Sequence, residues 1–207
     1  MTSHWTTGGF SLEIHVMDEC TRHDSSCVTE IIARGLERVQ EICQRRGRGV
    51  PTRLVVCGDN TVRELKNQIN LTYISALVSK RKMRLSALAF LRKSHTHDRL
   101  DQIFGILARR IASEDRLMDP SDTIRIITTE LSRPGLRSWI GNSTELHVQK
   151  LDAVRDWKTH LQGFGISLSG GLLEDSTGNH FFLMMQRKGW GTQIHAYIIP
   201  ITTIFLK

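Results

Sequence analysis

Two histidines and three aspartates are the residues of this chain whose types and spacing best fit chemistry. Asp59 follows directly on an apolar run, and His95, His97, Asp98 and Asp101 lie close together further along. Carboxylate oxygens can hold a divalent cation, and a histidine beside them can transfer a proton near neutral pH. The cluster from His95 to Asp101 therefore predicts a divalent-cation site with a histidine assisting, and Asp59, at the end of the apolar run, is a second candidate functional residue.

Each half of this predicted site has a structural alternative. Asp59 and Asn60 could introduce a helix, but Thr61 and Glu64 already form a capping box there, which leaves Asp59 without a structural role. A capping box from Asp98 to Asp101 would likewise account for both acids. It would account for neither histidine, so a functional role is favoured for both groups.

The charge of the chain points to a polyanionic partner. Lys plus Arg number 28 against 21 Asp plus Glu, which gives a formal net charge of +7. The aromatic content of 6% is low for base stacking, so we expect contacts mainly with the phosphate backbone. The predicted nucleic-acid-binding residues precede the histidines: Lys80, Arg81, Lys82, Arg84, Arg92 and Lys93. A second basic group, from Arg34 to Arg53, is interpreted as solvated surface.

The cysteines and the N-terminal stretch bear on the compartment. His15, Cys20, His23 and Cys27 match no common structural zinc spacing, and no Cys-x-x-Cys pair is present. Reduced thiols, no signal-peptide pattern and no apolar run of transmembrane length predict an intracellular location, with the nucleus among the candidates and no membrane partner.

Hydrophobic periodicity places the candidate residues on alternating elements. The pattern predicts a strand over 11–18, a helix from Val28 to about Arg45, a buried strand over 53–58 and a helix from Thr61 to about Ser79. A second buried strand, "LSALAFL", and a helix from about Asp98 follow. This alternation predicts an α/β layered sheet whose two buried strands are parallel.

The pattern changes near residue 118. We expect a core domain over 11–117 and an α+β region over 118–207, with helices near 120–132 and 149–162 and then a hairpin.

Two segments, "CGDNTVRELKNQ" and "FLRKSHTHDRLDQIFGILARR", resemble motifs of a large eukaryotic, transposon-derived family of domains of unknown function, of the ribonuclease-H-like, transposase type. The resemblance covers about residues 11–115. The family's motif falls on Asp59, Asn60, Lys66, Asn67, Gln68, His95, Thr96, His97, Asp98, Asp101 and Gln102. Ser94 stands where the family often has glycine.

The resemblance implies a ribonuclease-H-like sheet whose acids hold Mg²⁺ or Mn²⁺ for phosphodiester chemistry on nucleic acid. Asp59, Asp98 and Asp101 would be the ligands, with His95 or His97 assisting catalysis. The family's first acid lies on a strand expected upstream of residue 11, so the sheet would be partial and lack its first strands. Asp18 is the candidate substitute.

Two non-catalytic interpretations stay open. The chain could be an inactive descendant that binds nucleic acid through the basic segment, or a protein-interaction module whose carboxylates cap helices.

Overall fold

The computed structural model describes residues 2–6, 9–18, 24–58, 67–90, 99–115, 119–162, 164, 180–187 and 191–198. The chain is a mixed α/β protein that divides into two compact units. The first unit comprises Met1–Arg22, Ile31–Gly49 and Thr96–Val154; the second comprises His23–Glu30, Val50–His95 and Arg155–Lys207. Each unit is thus assembled from three separate stretches.

The elements follow one another in this order: β1 (Thr2–Thr6), β2 (Gly9–Val16), α1 (Ser25–Arg45), β3 (Arg53–Gly58), α2 (Gln68–Ser79), β4 (Leu85–Phe90), α3 (Arg99–Ala112), α4 (Pro120–Leu131), α5 (Pro134–Ile140), β5 (Glu145–Lys150), α6 (Trp157–His160), β6 (His180–Arg187) and β7 (Gly191–Ile198). The described helices include none that is long and apolar enough to cross a bilayer.

The first unit is built on a sheet of order β1-β2-β5, in which β2 is antiparallel to β1 and parallel to β5. Alternate residues of β2 point to one face, and Leu12 and Ile14 on that face are buried. They join a core with Ile103 and Leu107 of α3 and with residues of α4 and α5. Burying side chains of this size contributes about 1.5–3 kcal/mol each.

The second unit contains a sheet of order β3-β4-β6-β7. β3 and β4 are parallel, as predicted, while β4–β6 and β6–β7 are antiparallel pairs. The predicted burial is confirmed for β4 but wrong for β3, which lies at an edge of the sheet as described and has only partly buried or exposed residues. Every residue of α2 from Asn70 to Val78 is buried, which is typical of a helix that is apolar around its whole circumference. Its mostly apolar sequence and the buried Leu88 and Phe90 of β4 therefore supply the core of this unit.

A buried carboxylate connects three segments of the second unit. Glu30 accepts hydrogen bonds from Arg155 Nε at 2.8 Å and from Trp157 Nε1 at 3.0 Å. The Trp157 ring in turn contacts the Tyr73 ring edge-on, with centroids 4.9 Å apart. Next to Glu30, the Thr29 hydroxyl donates to Asn70 Oδ1 of α2 at 2.5 Å. The 155–157 segment is thereby fixed to α1 and α2.

Several predicted elements are confirmed, among them α1, α3, α4 and the C-terminal hairpin, which forms β6 and β7. The helix predicted near 149–162 is wrong. Leu146 and Val148 alternate with His147 and Gln149, and this period of two lets β5 pair with β2. Only the four-residue α6 is helical in that stretch.

The helix predicted to run unbroken from Thr61 to Ser79 is also wrong. Asn67 has extended backbone angles (φ −131°, ψ 163°) and is the N-cap of α2, which begins at Gln68. The Asn67 side chain accepts a hydrogen bond from the Asn70 amide at 3.0 Å. It thereby satisfies one of the first-turn amides that have no acceptor within the helix. Thr61 and Glu64 lie outside the described residues.

The Glu30 interactions generate a stability prediction. Glu30→Ala would leave the buried Trp157 indole N–H without its acceptor and release the half-exposed Arg155, so we expect unfolding free energy to fall by about 2–4 kcal/mol. Urea denaturation followed by circular dichroism measures this. Gln40→Ala, at an exposed site of the same helix, is the control and should change stability by less than about 0.5 kcal/mol. Equal effects of the two variants would contradict the role of Glu30.

Candidate functional site

The parallel strands β3 and β4 directly precede the two segments that carry most of the predicted site residues. Gly58 and Phe90 are partners in the register, so the chain leaves both strands at the same edge of the sheet. In open α/β sheets this carboxyl-terminal edge is where ligands bind. Asp59 follows Gly58 in sequence, and the histidine segment follows Phe90.

Most of the predicted site itself lies outside the described residues: Asp59, Asn60, Lys66, Arg92, Lys93, His95, His97 and Asp98. Asp101 and Gln102 are described, and both are exposed in the first turn of α3. An acid at that position interacts favourably with the helix dipole. Among the described residues there is no group of three or more His, Cys, Asp or Glu side chains arranged to hold a metal ion. The Mg²⁺ or Mn²⁺ site therefore stays a prediction.

The motif residues at the start of α2 have a defined structural role. Asn67 caps the helix, and Gln68 is its exposed first residue. Asp18, the candidate substitute for the missing acid, lies just after β2, and its carboxylate is 3.7 Å from Lys150 Nζ.

The basic turn, defined here as Lys80, Arg81, Lys82 and Arg84, joins α2 to β4. The Arg81 amide donates to Val78 O and the Lys82 amide to Leu77 O, both at 2.9 Å. This pair of bonds forms a Schellman motif, in which glycine is favoured at the left-handed position. Arg81 occupies that position with φ 56°, although a side chain there costs about 1–2 kcal/mol.

The side chains of the basic turn are all exposed. In the part of the chain that the structure describes, no acidic group lies within salt-bridge distance of any of them. Lys80 Nζ lies 4.6 Å from the centroid of the Phe164 ring, a cation–π contact. The four cations are thus exposed, with no neutralising partner among the residues that the structure describes.

Arg53 belongs to the same surface, a relation that sequence analysis missed. It was grouped with the arginines of α1, but it pairs in register with Leu85, directly after the basic turn. The amide of Arg84 donates to Thr52 O at 2.8 Å, which holds the starts of β3 and β4 together. Aligning the two predicted parallel strands would have revealed this proximity. Arg53 is exposed and likewise has no acidic neighbour among the described residues.

The arginines of α1 and Arg46, directly after this helix, behave differently, because they cover polar residues of the first unit's sheet. Arg45 and Arg46 donate to the Glu145 carboxylate at 2.7 and 2.8 Å, and Arg38 Nε lies 3.4 Å from Glu13 Oε1. His15 Nε2 is 3.5 Å from Glu13 Oε2, and both side chains are almost fully buried. Sequence analysis also missed this buried polar layer, because a strand that alternates apolar and polar residues usually turns its polar face to solvent.

The two arginines set the ionisation of Glu145. Burial of its carboxylate raises the pKa, but the hydrogen bonds and charges of Arg45 and Arg46 outweigh this and hold the pKa below its ordinary value of 4.5. Glu145 therefore stays ionised in the folded protein under mildly acidic conditions.

One comparison with known proteins identifies a family. The family model described as "Domain of unknown function (DUF7869)" matches residues 6–190. The chain belongs to this family. No curated protein and no solved structure matches the chain. The predicted resemblance to a family of domains of unknown function is confirmed in this form, while its transposon derivation and ribonuclease-H-like fold stay predictions.

In this DUF7869 chain, the Glu145 ion pairs predict a pH dependence of stability. Because the folded-state pKa is lowered, Glu145 contributes stability above pH 4.5 and loses it as pH falls through the folded-state pKa. Glu145→Gln should therefore be less stable than the unmodified chain at pH 7, and the difference should shrink as the pH falls below 4.5. Thermal unfolding at a series of pH values from 7 downward measures it. Asp115→Asn, at an exposed site, should show no such convergence.

Proposed function

We propose that this protein binds nucleic acid through the phosphate backbone, using the basic turn together with Arg53. The observation that carries the proposal is the contrast between two sets of cations. Arg38, Arg45 and Arg46 are held by carboxylates of their own unit, whereas the basic turn and Arg53 face solvent unpaired within the described residues. Unpaired cations concentrated on one surface attract a polyanion and release its counterions on binding.

The left-handed conformation of Arg81 supports the same proposal. Glycine would occupy this position without steric cost, and an arginine is present instead. Backbone strain retained at an exposed position is typical of functional sites, where the side chain gives a benefit unrelated to stability. Here that benefit is a cation displayed at the tip of a rigid turn.

Binding to the backbone implies little sequence selectivity. Contacts to phosphates position a protein on nucleic acid, and contacts to base edges read the sequence. The basic turn carries only point charges and guanidinium groups, and the whole chain has 6% aromatic residues. Affinity should therefore depend strongly on salt and weakly on sequence.

A second candidate function is metal-dependent phosphodiester chemistry in a ribonuclease-H-like, transposase-derived domain. It is supported by the shared edge at which β3 and β4 end, because Asp59 and the histidine segment follow these strands in sequence. Asp59, Asp98 and Asp101 would hold Mg²⁺ or Mn²⁺, and His95 or His97 would transfer a proton. A bound metal pair would stabilise the attacking and leaving oxygens of the phosphodiester.

Charge reversal tests the binding proposal. The triple variant Lys80→Glu, Arg81→Glu, Lys82→Glu should bind a labelled DNA duplex at least about tenfold more weakly and reduce the slope of log K against log salt by about 3. Fluorescence anisotropy at several salt concentrations measures both. The matched control is Arg48→Glu, Arg109→Glu, Lys158→Glu. These cations are exposed and belong neither to the basic turn nor to β3, and the triple variant changes the net charge by the same amount. Equal weakening by both triples would show an effect of net charge alone and contradict the proposal.

Arg81→Gly is a second variant in the same assay. It should raise the unfolding free energy by about 1 kcal/mol, because glycine adopts the left-handed conformation without strain. It should also weaken binding and lower the salt slope. A gain in stability with unchanged binding would mean that Arg81 does not contact the ligand.

Calorimetric titration with Mn²⁺ tests the second candidate. The unmodified chain should show saturable heat that is lost in Asp59→Ala and in Asp101→Ala, since each change removes a predicted ligand. Asp115→Ala, which removes an exposed acid outside the predicted site, should retain the heat. Absence of binding in the unmodified chain, or identical binding in all four proteins, would reject the metal site.

A further inference from the structure

β5 lies at one edge of the first unit's sheet as far as the structure describes it. Its partner on the inner side is β2, and the Leu151 amide donates to Val16 O at 2.9 Å. Backbone groups alternate in direction along a strand, so odd-numbered residues of β5 bond to β2. The amides and carbonyls of Leu146 and Val148 therefore point outward. Within the described residues these outward groups have no hydrogen-bond partner.

A groove runs along this outer edge. A cavity of about 390 Å³ lies between β5 and α4, lined by Thr128, Leu131 and Ser132 on the helix and by residues 146–149 on the strand. A neighbouring cavity of about 550 Å³ shares Thr128 and Ser132. The groove thus combines the partly buried apolar side chains of Leu146 and Val148 with a row of hydroxyl groups and a strand edge that has no partner among the described residues.

The far end of the groove is basic. Arg125 and Arg133 line the second cavity, and their side chains are 69% and 59% exposed. Each has one carboxylate nearby on α4, Asp122 at 3.5 Å and Glu130 at 3.1 Å. A guanidinium group has five N–H donors, so each arginine keeps donors directed to solvent. Acidic side chains would complement this end.

We propose that the β5 edge is a docking site for an extended acidic peptide of a partner protein, which adds a fourth strand to the sheet. The partner backbone would pair with the outward groups of Leu146 and Val148. Its alternate side chains would pack on Leu146 and Val148, which line the groove and are only partly buried, and an acidic side chain would reach Arg125 or Arg133. This is strand addition, in which backbone hydrogen bonds provide affinity and side-chain pockets provide specificity.

Two properties favour a peptide over other occupants. Outward carbonyls accept hydrogen bonds from amides, and a nucleic-acid backbone has no donor to offer them apart from sugar hydroxyls. Proline blocks pairing at many natural sheet edges, whereas "ELHVQK" contains no proline. The exposed edge is therefore suited to pairing.

The test uses the full chain and a fluorescein-labelled probe peptide of about eight residues in which valine alternates with glutamate. We expect saturable binding by fluorescence polarisation. A peptide with N-methyl groups on alternate amides and a peptide with lysine in place of glutamate should each bind at least about tenfold more weakly. Equal binding of the N-methylated peptide would exclude strand addition, and equal binding of the lysine peptide would exclude the acidic partner.

Variants of the protein locate the site. Arg125→Glu, Arg133→Glu should weaken binding about tenfold, while the matched double variant Arg48→Glu, Arg109→Glu should bind as the unmodified chain does. Lys150→Pro removes one outward amide at the end of β5 and should also weaken binding, with circular dichroism confirming the fold. Three outcomes would overturn the proposal. The first is displacement of the probe by duplex DNA, and the second is absence of peptide binding. The third is that the chain binds no peptide but self-associates through this edge, with Lys150→Pro abolishing the self-association.

Discussion

The second unit depends on the Glu30 carboxylate, which is almost completely buried. Burial removes water from the carboxylate oxygens, so these require hydrogen-bond donors from the protein. Arg155 approaches it with Nε and Nη2, at 2.8 and 3.1 Å, and the Trp157 indole supplies a further donor. The same guanidinium also lies over the Trp157 ring, 4.7 Å from its centroid. One acid therefore fixes the 155–157 segment within the second unit. The contact of Trp157 with Tyr73 extends this constraint to α2, whose C-terminal end carries the basic turn.

The charged side chains are of two kinds. Glu13 and Glu145 of the first unit lie on one face of its sheet and are matched by arginines of α1, so that face is buried although it is polar. The cations of the basic turn, in contrast, have no acidic partner among the described residues. Charges of the first kind contribute to the specificity and pH response of the fold. Exposed charges of the second kind contribute little to stability.

Local patterns in the sequence predicted much of the fold. The helical spacing of apolar residues in α1, α3 and α4 reflects burial of one face, and the short apolar run of β4 reflects burial of both faces. The similar run of β3 was misleading, because β3 lies at an edge of its sheet as described and its residues are only partly buried or exposed. Long-range pairing was not predictable in this way. β5 shows the period of two over only a few residues, and "ELHVQKLDAV" has enough apolar residues to suggest a helix as well, so its pairing with β2 could not be inferred from the segment alone. The start of α2 was mistaken because two capping motifs, at Thr61 and at Asn67, compete within a few residues.

Of the candidate site, the exposed cations were predictable, since charge runs are seldom buried, but their grouping with Arg53 required the register of β3 and β4. The other strand pairings have a consequence for folding. Ser11 pairs with Glu145, and Leu85 pairs with Met185. Each sheet thus joins strands from distant parts of the chain, a topology of high contact order that folds slowly because long loops must close first. During synthesis neither sheet can be completed until most of the chain has left the ribosome, and a fragment ending near residue 118 would lack β5, β6 and β7 altogether.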